Sequence, residues 1–246
     1  MARRQTPPAP NRLGNDPRLN DESAELWRDD LNDLAKALLT SAVRCFAHNG
    51  YHATTTRDIA NGVRRSPAAL YVYFTSKEHA LYEIIRSAHK SALAYIDDPV
   101  VQVGDAAERL RLIVARHTAW HARHHVAARV SQYELAALAP QHYQEVLEIR
   151  HRTNERFRDA VKLGIVDGCF PDVDVQRIVR AMLSLSIDVS RWYRLDGPES
   201  PEQLGDFYGN LALHMVIADS PDRGPRRRAD RAAKSSGRGR TVGGSK

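Results

Sequence analysis

The chain has 246 residues, 42% hydrophobic and 27% charged, enough for one large globular domain or two small ones. No charge-free apolar run approaches the roughly 20 residues of a membrane span. Met1-Ala2-Arg3-Arg4 leads into a Pro-rich stretch rather than an apolar signal sequence, and two cysteines, Cys45 and Cys169, are too few for a disulfide framework or a zinc cluster. Cytoplasmic residence is the expectation, with no membrane contact. The net charge of +6 belongs to the end of the chain: residues 221–246 hold nine Lys/Arg against two Asp, leaving residues 1–220 at −1. Within that body, residues 34–90 are basic, with eight Lys/Arg against three acids, and residues 91–220 are acidic, with fourteen against eighteen. A small basic segment on a mildly acidic body suits a nucleic-acid-reading head joined to a regulatory domain.

Residues 1–20 carry Pro7, Pro8, Pro10, Gly14 and Pro17 among few apolar residues, and residues 1–30 read as a disordered N-terminal arm. The stretch after it predicts a helix over about 31–48. Leu34, Leu38, Ala42 and Phe46 fall at i+4 steps, and Asn49-Gly50 suits the left-handed conformation that ends a helix. Thr55 with Asp58 three residues on is a helix start; Ile59 and Ala60 point inward, and the short helix stops near Val63. Ser66-Pro67 opens a second short helix to about Phe74, with Leu70 and Phe74 as core anchors and Ala68, Ala69, Tyr71 and Tyr73 on the other face. Thr75-Ser76 caps a longer helix from Lys77, with Ala80, Leu81, Ile84 and Ile85 inward. Two short helices flanked by two longer ones make a helix-turn-helix head over residues 31–90.

Such a head reads DNA because the second short helix fits the roughly 12 Å wide major groove. Ala68 and Ala69 let its backbone approach the bases, and Tyr71 and Tyr73 reach phosphates. Thr55, Thr56 and Arg57 lie at a helix N-terminus that favours an anion, and Arg64, Arg65 and Lys77 add charge.

Residues 34–85, about a fifth of the chain, resemble the TetR family of bacterial regulators. The resemblance is carried by Phe46-Ala47-His48-Asn49-Gly50-Tyr51, Thr54-Thr55-Thr56-Arg57-Asp58-Ile59-Ala60, Ser66-Pro67-Ala68-Ala69-Leu70-Tyr71-Val72-Tyr73-Phe74 and Ser76-Lys77-Glu78. It implies a DNA-facing set of Thr55 or Thr56, Ser66, Ala68, Ala69, Tyr71, Tyr73 and Lys77, a homodimer, and a double-stranded operator. Where the family usually has Gly-Val, this chain has Arg64-Arg65. Arg64 must then take a costlier backbone conformation or the turn is altered, and Arg65 cannot lie unpaired in the core. At least one of the two is expected to face phosphates.

Residues 91–219 predict an all-α ligand-binding and dimerisation domain, with helices over 106–130, 140–167, 172–193 and 201–218. In the family the last two pair with their copies in a four-helix bundle. The run Ser190-Arg191-Trp192-Tyr193-Arg194 looks like a branch of the family that answers to acyl-CoA thioesters of lipid or sterol catabolism. Arg191 and Trp192 are placed in a ligand cavity, against the alternative of Trp192 as a core or dimer contact and Arg191 as one half of an ion pair. His117, His121 and His125 share one helical face, where two imidazoles four apart can chelate a metal, but the third and fourth ligands such a pair needs are not identifiable, so Trp120 and His121 with Tyr133, Tyr143 and Arg150 are read as cavity lining rather than a metal site. His124 is read as solvated, and Cys45 and Cys169 as packing residues. Residues 220–246 are a disordered basic tail. No cofactor is expected, and no Gly-rich phosphate loop, Gly-x-Ser-x-Gly or His-Glu-x-x-His motif suggests an enzyme. The competing readings are an efflux regulator sensing cationic or aromatic compounds and, more distantly, a helical adaptor using its basic tail.

Overall fold

The computed structural model describes residues 17–218, so the basic tail and the first part of the arm lie outside the described residues. Among the described residues the regular structure is helical: α1 Asp33–Asn49, α2 Thr56–Gly62, α3 Ala68–Tyr71, α4 Lys77–Ile96, α5 Ala106–Arg123, α6 His125–Tyr133, α7 Pro140–Val166, α8 Val175–Trp192 and α9 Pro201–Ala218, with short 3-10 turns between some of them.

Local chemistry sets most of the boundaries. Asn32, Ser76, Asp105 and Asp174 each accept an amide N–H of the first turn they precede. Thr55 and Asp58 form a reciprocal capping box on α2. Gly50, at φ 79°, ends α1. Arg64 ends α2 in the left-handed region at φ 56°, where its own N–H donates to the Asn61 carbonyl at 3.1 Å and the Arg65 N–H to the Ala60 carbonyl at 2.9 Å. That is a Schellman cap with arginine in the position glycine usually holds. Arg65 is exposed.

The head core is built from Phe46 of α1, Ile59 of α2, Leu70 and Phe74 around α3, and Leu81, Ile84 and Ile85 of α4, all 2% exposed or less. The same cluster runs on into α6 and α7, so head and body share packing. The second core joins α4, α5, α7, α8 and α9 around Leu110, Phe157, Val161 and Met182. The tightest seam is between α5 and α9. A Cβ on Gly205 would stand 2.5 Å from the Ala115 carbonyl oxygen, and one on Gly209 2.6 Å from that of Arg111, so only glycine lets the two backbones meet.

Four expectations need correction. The arm predicted over residues 1–30 is not free along its described part: Leu19, Leu26 and Trp27 are buried, and the Trp27 indole donates to Thr40 Oγ1 at 2.8 Å. The helix predicted over 106–130 breaks at His124, whose φ of −108° and ψ of 37° turn the chain from α5 into α6. Asp21 caps the new helix from far along the sequence, accepting the Val126 N–H at 2.8 Å. His124 is therefore buried rather than solvated. Cys169 is exposed rather than packed, whereas Cys45 is buried as expected, which pushes its thiol up to about 11.

Candidate DNA interface and effector cavity

On the head, Thr55, Arg57, Arg64, Arg65, Ser66, Ala68 and Tyr71 are exposed, and Thr56, Ala69, Tyr73 and Lys77 are half-buried. Arg57, Arg64 and Arg65 make no ion pair among the described residues, which leaves three unneutralised guanidinium groups around α2 and the turn into α3. The Thr55 hydroxyl is engaged with Asp58, donating to Oδ2 at 2.6 Å and accepting the Asp58 N–H at 3.2 Å. The α2 N-terminus thus offers an anion the backbone amides of Thr56 and Arg57 more than the Thr55 side chain. The Tyr73 hydroxyl accepts from Asn32 Nδ2 at 3.2 Å, which orients the ring.

Lys77 departs from the expected phosphate contact. Its ammonium donates to the Tyr51 carbonyl at 2.8 Å and the Thr54 carbonyl at 2.7 Å, and it lies 4.2 Å from the centre of the Tyr51 ring. Burial lowers its pKa. The charge closes the loop between α1 and α2 instead of facing outward.

In the body a cavity of about 540 Å³ lies among α4, α5, α6, α7 and α8. Trp120, His121 and Arg150 line it as the sequence suggests, together with His89, His117, Ser131 and Asn154. Arg150 donates to Gln132 Oε1 at 3.1 Å and makes no ion pair among the described residues. Burial lowers the pKa of this guanidinium, so the site holds a cation awaiting an anion or a polarised oxygen. A second cavity of about 430 Å³ between α7 and α8 shares Arg150, Asn154 and Arg158 with the first and adds Arg180.

Four expected lining residues lie elsewhere. Arg191 is exposed and paired with Asp188 at 2.9 Å, because one turn of α8 brings the acid alongside. Trp192 is 48% exposed at the end of α8, and Tyr133 is 65% exposed at the end of α6. Tyr143, half-buried, packs on the core shared by head and body. Asn154 and Arg158 went unread in the sequence, although Arg150, Asn154 and Arg158 recur every fourth residue as a polar stripe on α7. His89 gives no such signal, since its role depends on which face of α4 meets α5. Among the described residues no three His, Cys, Asp or Glu side chains are arranged to hold a metal ion, and no helix is long and apolar enough to cross a membrane.

A helix-turn-helix head continuous with a hollow helical body defines a ligand-responsive DNA-binding transcriptional regulator. Residues 38–84 match the model of the bacterial regulatory proteins of the tetR family, and residues 103–216 that of the tetracyclin repressor-like C-terminal domain. The HTH-type transcriptional repressor KstR2 of Mycobacterium tuberculosis is 32% identical over 192 residues, covering 77% of this chain and 96% of the relative. The solved structure of the ketosteroid transcriptional regulator KstR2 of Mycobacterium tuberculosis superposes with a TM-score of 0.70 at 29% identity, covering 76% of this chain and 97% of the other. A tetR-family regulatory protein from Rhodococcus RHA1 gives a TM-score of 0.71 at 36% identity, over 76% of this chain and 98% of its own. The fatty acid metabolism regulator protein of Bacillus subtilis is 28% identical over 171 residues, 65% of this chain and 83% of its own. The chain belongs to the tetR family of transcriptional regulators; it binds DNA and is not an enzyme.

Proposed function

We propose that this chain is a cytoplasmic homodimeric repressor that occupies a palindromic operator and releases it when an acyl-CoA thioester enters the body cavity. The observation that carries this reading is that one helix serves both halves. α4 puts Ala80, Leu81 and Ile84 into the head core and presents Ala88, His89 and Ala92 to the cavity. A ligand that alters the cavity wall therefore acts directly on the seating of the head. It shifts the equilibrium only by its differential affinity for the two states.

On the DNA side, the Thr56 and Arg57 amides and the Arg57, Arg64 and Arg65 guanidinium groups take phosphates. Ser66, Ala68 and Ala69 face base edges, and Tyr71 and Tyr73 flank them. The partner subunit covers the apolar side chains left open on α8 and α9, among them Leu185, Trp192 and Phe207, which are 42%, 48% and 62% exposed. Two heads so joined meet half-sites roughly 34–36 Å apart.

The uncompensated Arg150 favours a thioester over the cationic compounds of an efflux regulator, because a second cation in that cavity meets like charge. The similarity to a ketosteroid transcriptional regulator and to a fatty acid metabolism regulator protein favours a lipid-derived effector. The test is a gel shift on the DNA flanking the chain's own gene, challenged with acyl-CoAs, free acids and cationic drugs. Release by thioesters is the expected result; release by drugs alone overturns the reading.

A further inference from the structure

The inner wall of the cavity is more polar than an acyl chain requires. Three inner imidazoles reach it, His89 from α4 and His117 and His121 from α5, while a fourth lining histidine, His151 of α7, is exposed. Each is tied back through Nδ1: His89 to the Ile85 carbonyl at 2.8 Å, His121 to the His117 carbonyl at 2.8 Å, and His117 to the Ser186 hydroxyl at 2.8 Å. A carbonyl only accepts, so Nδ1 carries the proton in His89 and His121. The Ser186 hydroxyl has a single proton, which the Met182 carbonyl 2.9 Å away can receive, and in that arrangement Nδ1 of His117 donates to Ser186 Oγ.

All three rings are thus Nδ1–H tautomers, and the bare Nε2 lone pair is on the edge turned away from the ring's tether. Burial keeps them uncharged: it pushes His89 and His121 down to about 4 and holds His117 well below its ordinary range. His89 Nε2 faces Arg150 Nη1 at 3.4 Å, as an acceptor should. Nε2 of His117 and of His121 meets no donor among the described residues. The Trp120 indole between them is directed out of the cavity, to Ser91 Oγ at 3.0 Å. Ser131 contributes a buried hydroxyl that has no partner among the described residues.

We infer that the inner end of the cavity recognises a hydroxyl group on the effector's carbon skeleton, which donates to Nε2 of His117 or His121. The inference rests on the thioester reading and narrows it: hydroxylated acyl groups are selected over unsubstituted and keto-bearing ones. An alkyl group leaves two buried acceptors without partners, and a ketone sets a third lone pair against them. The His117 and His121 ring centres are 4.3 Å apart, so a divalent cation is the competing occupant.

The test is calorimetric titration of the full chain with cyclohexanecarbonyl-CoA and its 4-hydroxy and 4-oxo analogues. The hydroxy compound should bind about tenfold or more tighter than the other two. His121→Phe, which removes one acceptor while keeping an aromatic ring, should shrink the ratio of hydroxy to unsubstituted affinity; an unchanged ratio overturns the inference. Equal binding of all three overturns the inference and spares the thioester reading; binding of none overturns both. Long-range nitrogen-15 NMR of the ligand-free protein reads the tautomers independently of any variant, and a proton on Nε2 of either ring refutes the assignment. Stoichiometric binding of Zn²⁺ that His121→Phe abolishes overturns it in favour of a metal.

Discussion

Replacing Arg64 by glycine should make the protein more stable and worse at holding DNA. Arg64 closes α2 at φ 56° with both Schellman hydrogen bonds in place, so the backbone there is fixed whatever the side chain. An L-residue in that region costs roughly 1–2 kcal/mol. Glycine removes this strain, but its greater freedom in the unfolded chain offsets roughly 0.4–1 kcal/mol of the gain. The net is about 0.5–1 kcal/mol in favour of Arg64→Gly, a rise in Tm of about 2 °C for a chain of this size. The same change deletes one exposed guanidinium from each head, two per bound dimer, so the slope of log affinity against log salt should fall by about 1.8. Arg64→Ala separates the two effects, because it loses the charge and keeps the strain: the slope should fall equally with no gain in Tm. Calorimetric unfolding and fluorescence anisotropy on operator DNA at several salt concentrations make the comparison. A Tm for Arg64→Gly no higher than for Arg64→Ala refutes the strain argument. An unchanged slope in both variants refutes the phosphate contact.

Lys77→Met removes the two charged hydrogen bonds that close the loop between α1 and α2, and should destabilise the protein by about 2–3 kcal/mol in denaturant unfolding. If the main loss is instead in the salt slope with stability intact, Lys77 faces DNA after all. Acid should unfold the body through the cavity histidines. His89 and His121 titrate lower when folded, at about 4, than in the unfolded chain, so the unfolded state binds more protons between pH 6.5 and 4. Stability is therefore complete above about pH 6.5 and falls as pH drops through that window, by up to about 3 kcal/mol for each ring. Thermal melts at pH 7, 5.5 and 4.5 should show this, and His121→Gln should flatten the trend; equal melting temperatures at all three would rule it out. Gly205→Val drives a side chain into the Ala115 backbone and should cost about 2 kcal/mol or more, read as a lower urea midpoint. A neutral result would mean the α5–α9 seam is looser than described.

Legibility in the sequence follows the range of the forces involved. The Thr55–Asp58 box, the Ser76 cap and the i+4 stripe of α1 depend on residues within a turn or two, and each lies where the sequence places it. Arg64 was readable as strained because the demand for a left-handed residue after α2 is equally local. The break at His124 was not readable, since the cap that starts α6 comes from Asp21 and apolar periodicity continues across it. The cavity was half readable for a related reason. Arg150 and Arg191 look alike in sequence, but Asp188 alongside Arg191 neutralises one while burial isolates the other. Which residues of α4 meet α5 is decided by packing between distant segments, so His89 gave no sign of its place.

The α5–α9 seam also constrains how the body can deform. Side chains yield to a ligand by changing rotamer, but at Gly205 and Gly209 backbone rests on backbone and nothing there can rotate away. That wall is a keel. Where α4 meets α7 the contact is instead between side chains, the stacked Tyr82 and His142 rings, 3.8 Å between centres, and the Arg86–Glu145 ion pair. A ligand that enlarges the cavity thus meets contacts able to rearrange along α4, the helix that carries the head.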